Sequence, residues 1–267
     1  MRNIHSYKDG KISFAEKGKG RVIILLHGYL ENLEIWDDFA AALASDYRVI
    51  SIDLPGHGLS DCYGETHSME FMAGVVKDLM DFKGISKTFI TGHSLGGYVA
   101  LAFLGLYPEY LSGYCLFHSH PFADTPEAVQ KRLREIELVK AGKKDIMYPP
   151  NVTMMFAEHN RERLAVSLSR SRKIAAGIPG EGIIAVLRGM IERPSRLDLM
   201  EAGRVPCLWI LGKSDSYIPC EEVQKRVVLP SNAEVVVLND SGHMGFAEEP
   251  EESEKILRRF ADRLVYS

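Results

Sequence analysis

The chain has 267 residues, 46% of them apolar and 25% charged, with a formal net charge of −4 and an isoelectric point near 6.2. That apolar share suffices for one large domain, or a core carrying an inserted module, and excludes a disordered chain. The balanced, slightly acidic charge argues against nucleic acid or an anionic membrane as partner, and leaves a small-molecule substrate as the expected ligand.

The first ten residues, MRNIHSYKDG, lack the apolar stretch of a secretory signal, and apolar runs such as residues 22–26 are far too short to span a bilayer. A cytoplasmic protein is expected. Cys62, Cys115, Cys207 and Cys220 are widely spaced, form no C-x-x-C pair and sit in or beside apolar runs, which predicts buried free thiols.

Short runs rich in Val, Ile and Leu recur at 21–26, 47–52, 88–91, 113–117, 207–211 and 234–238, and read as buried strands. Stretches of helical period at 68–82, 95–107 and 251–264 alternate with them, as βαβ units of a mostly parallel sheet with helices on both faces require. The expected fold class is therefore α/β.

The alternation stops after Phe117 and resumes at Val205. Residues 121–204 are expected to form an inserted α-helical cap on a core built from 1–120 and 205–267. Its first helix spans 126–141, with Asp124 or Thr125 as cap, Pro126 in the first turn, Glu127 against the helix dipole and Gly142 as stop. Further helices are expected at 161–176 and 182–191. The insertion holds 15 Lys and Arg against 11 Asp and Glu, a balance of +4 that favours an anionic substrate, although the interspersed acids equally suit a solvated helical face.

The segment T88-F-I-T-G-H-S-L-G-G-Y-V-A100 is a strand, a serine flanked by glycines, and the start of a helix, matching G-x-S-x-G in its required context. A bare match arises by chance in about one chain of this length in ten, so the context carries the weight. The turn strains the backbone until the Ser94 hydroxyl projects above the sheet, and Gly92 and Gly96 leave room for the neighbouring strand and helix. The helix starting at Leu95 directs its free N–H groups at charge developing beside Ser94, so the Leu95 amide is one expected oxyanion donor.

A serine needs a base whose pKa is near neutrality. Of nine histidines, His243 stands after the last expected strand and before the C-terminal helix, where a loop overhangs the sheet edge. Asp215 ends a strand-to-loop passage at the same edge and is the expected partner of His243. Asp240 is a rival, but so close to His243 it suits bonding its own backbone. The run L25-L-H-G-Y29 ends another strand, and the Tyr29 amide is the expected second oxyanion donor, with His27 bracing the loop from behind.

These motifs together, H27-G-Y29, D53-L-P-G-H-G-L-S60, G92-H-S-L-G-G97, Asp215 and S241-G-H243, resemble the α/β-hydrolase fold family in its serine-nucleophile, esterase-like branch. The resemblance covers the core well and the cap poorly. It implies a mostly parallel eight-stranded sheet with an antiparallel strand near the N-terminus and a helical cap, and it makes Asp53 and His57 structural. Dehalogenases and epoxide hydrolases of this fold resemble the chain but place an Asp where Ser94 stands, which disfavours their chemistry.

The expected activity is hydrolysis of a small carboxylic ester through an acyl-enzyme on Ser94, without metal or organic cofactor. The alternatives are carbon–carbon bond hydrolysis or perhydrolysis by the same triad, or a non-catalytic ligand-binding role. His118 and His120 end the strand that enters the cap and are candidate pocket residues with Met155 and Phe156; a metal site there would lack a third ligand. Met154, Met155, Phe156, Leu164 and Leu168, at near-helical spacing, either line an apolar pocket or pack on the core.

Overall fold

The computed structural model describes residues 2–264. Eight strands form one sheet: β1 (Arg2–Tyr7), β2 (Gly10–Lys17), β3 (Arg21–Leu26), β4 (Tyr47–Ile52), β5 (Thr88–His93), β6 (Leu111–Phe117), β7 (Cys207–Gly212) and β8 (Ala233–Leu238), in the order β1-β2-β4-β3-β5-β6-β7-β8. All the apolar runs of the sequence become strands. β1 and β2 add an antiparallel hairpin at one edge, with β2 antiparallel to β4 and every later pairing parallel. The central strands are apolar without alternation because helices cover both their faces. β5 and β7 are buried at every position, whereas edge strand β8 is only half-buried along most of its length.

The helices are α1 (Asp37–Leu43), α2 (Met69–Phe82), α3 (Leu95–Leu106), α4 (Pro126–Lys140), α5 (Lys144–Met155), α6 (Ala165–Gly177), α7 (Gly180–Glu192), α8 (Leu197–Glu201), α9 (Cys220–Gln224), α10 (Gly245–Glu248) and α11 (Pro250–Arg263). Ser68 caps α2 by accepting from the Phe71 amide, and Thr125 caps α4 by accepting from Ala128. No described helix is by itself long and apolar enough to cross a membrane.

Helices α4 to α8 fill the interval between β6 and β7. Three of them fall where periodicity and caps place them, although α6 starts at Ala165 because a short turn occupies the residues before it. Helix α5 was not expected: Pro149 and Pro150 lie inside it and withhold two amide donors from its middle. Cys115, Cys207 and Cys220 are buried as free thiols, but Cys62 is only half-buried in a surface loop, a correction to the expectation for all four.

One contact sets α7 against the core. The His67 amide donates to the Ala185 carbonyl (2.9 Å), and a Cβ at Gly182 or Gly189 would lie 2.1 Å from the Gly56 carbonyl oxygen or 1.8 Å from that of His67. These three positions, spaced i, i+3 and i+7, form one face of α7 that approaches the loops after β4 backbone to backbone. On helix propensity alone Gly189→Ala would stabilise by about 1 kcal/mol. Because the obstruction is backbone, we expect the opposite sign, a loss of about 1–3 kcal/mol in urea denaturation.

Candidate active site

The sheet order reverses around β3 and β5, and the crevice beyond their carboxyl ends is where open α/β sheets bind ligands. Ser94 follows β5, the 27–31 loop follows β3, His118 follows β6, Asp215 lies past β7 and His243 past β8. Five parallel strands thus deliver the candidate residues to one edge.

Ser94 has φ 48° and ψ −110°, a conformation L-residues rarely adopt. It is held by its amide donating to the Phe117 carbonyl (2.9 Å) and its carbonyl accepting from Ser119 Oγ (2.8 Å) and the Gly97 amide (3.0 Å). Such a strained residue persists where its surroundings over-determine it, which is common at functional turns. His243 Nδ1 lies 2.7 Å from Asp215 Oδ2, and both residues are buried. Asp215 Oδ1 accepts from the amides of Tyr217 (2.8 Å) and Ile218 (3.0 Å), which orients the carboxylate. The Asp240 side chain is largely exposed, and among the described residues no hydrogen bond or ion pair joins it to His243.

Burial by itself would raise the Asp215 pKa, but the His243 charge, the hydrogen bond from His243 and the nearby His118 Nδ1–H outweigh it and hold the carboxyl well below its ordinary range. For His243, burial favours the neutral ring, yet the charge and hydrogen bond of Asp215 prevail and raise its pKa above the ordinary 6.5.

His118 does not reach the cavity, contrary to the sequence expectation. With φ 47°, its backbone turns the ring beneath the sheet edge, wedged against Gly212 and Gly245. Its Nε2 accepts from the Gly245 amide (3.0 Å), so the proton of the neutral ring is on Nδ1, 3.5 Å from Asp215 Oδ2. That separation is an electrostatic contact, too long for a well-formed hydrogen bond. Ligand atoms of His118, His243 and Asp215, one from each, lie within 4.8 Å of one another, a group that does not include His120, the other half of the pair considered from sequence. Both Nδ1 atoms face the one carboxylate, as hydrogen-bond donors do.

Sequence reading missed three further buried groups. His93, the first variable residue of the G-x-S-x-G motif, donates from Nε2 to the His243 carbonyl (2.8 Å) and sets Nδ1 2.8 Å from Glu31 Oε2, so one proton lies between ring and carboxylate. Glu31 in turn accepts from the Gly28 amide (2.5 Å); burial disfavours its ionisation, but His93 and that amide lower its pKa. Glu248 accepts from the amides of Gly242 and Met244 through one oxygen, and from the Ala157 amide and Asn160 Nδ2 through the other. His27 braces as expected, donating from Nδ1 to the Gly28 carbonyl and accepting from the Leu54 amide. Asp53 accepts from the amides of Leu33 and Leu59, and the His57 ring is buried beside His27.

A cavity of about 280 Å³ opens above Ser94 and His243, walled by Tyr29, Tyr98, His120, Met155 and Tyr217 and by the inner face of α4. His120 and Met155 lie where sequence placed them. Phe156 does not: α5 ends at Met155, and Phe156 in extended conformation turns into the core instead. Leu168 packs in the core and Met154 is half exposed, so the apolar stripe serves packing more than the cavity. The Leu95 and Tyr29 amides have no protein acceptor among the described residues, whereas that of Gly28 is taken by Glu31.

A thermophilic esterase from Thermogutta terrifontis, solved with malate bound, superimposes with a TM-score of 0.93 at 28% identity over 99% of both chains. The chain belongs to the α/β-hydrolase fold family. The sequence model for that fold matches residues 21–137. A 2-hydroxy-6-oxononadienedioate/2-hydroxy-6-oxononatrienedioate hydrolase from Paraburkholderia phymatum is 27% identical over 94% of this chain and 90% of its own. The acetyltransferase component of the acetoin cleaving system of Pseudomonas putida is 30% identical over 84% of this chain, which spans only 59% of that relative's length. This α/β hydrolase therefore has an esterase among its structural neighbours and a dienedioate hydrolase among its sequence relatives.

The two histidines on Asp215 differ in a way that proton NMR resolves. His118 is pushed down to about 4, chiefly by burial, so its ring should stay neutral with Nδ1 protonated at pH 5, while His243 titrates above 6.5. Asp215→Asn removes the anion and leaves the burial, so the His243 value should fall below 6.5. A wild-type His243 titrating below 6.5 would contradict the arrangement.

Proposed function

We propose that this α/β hydrolase is a serine hydrolase that cleaves a small carboxylic ester. The observation that carries the proposal is that Ser94 and His243 line one cavity while Asp215 sits 2.7 Å from the far nitrogen of His243. Ser94 Oγ attacks the ester carbonyl as His243 Nε2 takes its proton, and the Leu95 and Tyr29 amides receive the charge on the carbonyl oxygen. The alkoxide leaves with the proton from His243, and water activated by the same imidazole releases the acid from Ser94. Residues 121–204 act as the cap, and a cavity of about 280 Å³ suits short acyl chains.

Carbon–carbon hydrolysis is the second reading. The Paraburkholderia relative supports it, and the same triad serves it.

On p-nitrophenyl acetate and butyrate, Ser94→Ala and His243→Ala should each lower kcat by about 10³-fold or more, and Asp215→Asn by a comparable factor with little change in KM. Since the base acts unprotonated and its pKa is raised, kcat/KM should fall on the acid side with a midpoint above 6.5. Wild-type silence on every ester, with turnover of a 2-hydroxy-6-oxo-dienoate, would transfer the reading to carbon–carbon cleavage.

A further inference from the structure

Positive charge collects around one corner of the cavity, which Lys131 and Arg132 line and near which Arg193 and Arg226 sit without lining it. The Asp124 side chain is nearly buried; it accepts from Arg132 Nε (2.6 Å) and forms an ion pair with Arg193 Nη1 (2.8 Å), which donates to the Met190 carbonyl (2.8 Å), so one carboxylate faces two guanidiniums. Arg193 is only 5% exposed and stacks on Tyr98 at 3.9 Å, and its Nε and Nη2 have no hydrogen-bond partner among the described residues. A third guanidinium, that of Arg226, stacks on Phe122 at 3.7 Å. His120 lies among them, pushed down to about 3 by burial first and by Arg193, Arg132 and Arg226 beside it, with Asp124 opposing. It contributes no charge, and the corner holds more positive charge than Asp124 cancels.

The hydrogen bonds there leave a donor free. His120 Nδ1 accepts from the Phe122 amide (3.2 Å), so the ring proton sits on Nε2, 3.2 Å from the Tyr98 oxygen. Tyr98 is thereby the acceptor, and its own hydroxyl proton is free to point into the cavity it lines. Both nitrogens through which Arg132 bonds, Nε and Nη2, are turned to Asp124, so Nη1 has no protein partner among the described residues. Lys131 lines the same wall and has no ion-pair partner among the described residues. Glu135, one turn along α4, also lines the cavity and its charge acts on Arg132, but its Oε1 accepts from the Tyr29 hydroxyl (2.8 Å), and the two carboxylates together do not cancel Lys131 and the three guanidiniums.

We propose that this corner, formed by Arg132, Tyr98, Lys131 and the charge of Arg193, is an anion subsite, and that the substrate is the half-ester of a short dicarboxylic acid. The free carboxylate sits against Arg132 and Tyr98 while the ester carbonyl faces Ser94. The half-ester assignment rests on the serine hydrolase reading; the anion subsite does not. A buried carboxylate meeting charged donors gains roughly twice what a neutral group does, which makes charge the discriminating feature.

Calorimetric binding to Ser94→Ala separates the two claims, with monomethyl glutarate as probe and methyl glutaramate, its neutral isostere, as control. The half-ester should bind about tenfold tighter or more. That ratio should fall toward unity when Arg132→Met is added, and should also fall with Lys131→Glu, an exposed position that folding tolerates. Equal binding of the two probes, no binding of either at millimolar concentration, or a ratio unchanged in both variants would overturn the subsite. Selective binding of the half-ester by a wild type that hydrolyses no ester would keep the subsite and sink the hydrolase reading.

Discussion

Backbone closeness at the turn from β5 into α3 is the constraint on which the site depends. A Cβ at Gly92 would lie 2.2 Å from the Gly96 carbonyl oxygen, one at Gly96 would lie 2.4 Å from that of Leu26, and one at Gly97 would meet Ser119 Oγ at 2.3 Å. With no side chain at these positions, α3 starts directly against β3 and β6, and Ser94 is held at a positive φ between them. The cost of that conformation, about 1–3 kcal/mol, is offset by the buried strands and helix that meet there.

The His243 loop is anchored from two sides. From the sheet come His93 on its carbonyl and Asp215 on its ring. From the helical segment, the Met155 carbonyl accepts the His243 amide (2.7 Å), and Glu248 joins the amides of the loop to Ala157 and Asn160. The end of α5 and the residues just after it therefore support His243, and Met155 also walls the cavity. Glu31 extends the same network to the 27–31 loop through the Gly28 amide, while the adjacent Tyr29 amide has no protein acceptor among the described residues. Asp215 and Glu248 are tolerated this deep because both oxygens of each accept hydrogen bonds, whereas Glu31 is bonded through Oε2 alone.

Much of this was legible in the sequence, and for identifiable reasons. Buried parallel strands demand uninterrupted apolar runs, and the turn at Ser94 demands glycines at fixed offsets, so both leave a local imprint. Asp215 and His243 were found because strand order fixes which loops share an edge. His93, Glu31, Glu248 and the position of His118 were not, since their partners lie far away in the chain and no spacing encodes them. Phe156 was misplaced because helical periodicity was carried one residue beyond the end of α5, where the backbone turns extended. Helix α5 itself was hidden by its two prolines.

The central claim is that Ser94 is a nucleophile activated by His243, and active-site labelling tests it most directly. A fluorophosphonate ester should form one adduct per chain: Ser94 Oγ bonds to phosphorus, His243 takes the serine proton and fluoride departs. Peptide mass spectrometry should place that adduct on Ser94, with none in Ser94→Ala and much slower formation in His243→Ala. A folded wild type that stays unlabelled, is labelled elsewhere, or reacts equally fast without His243 would contradict the account.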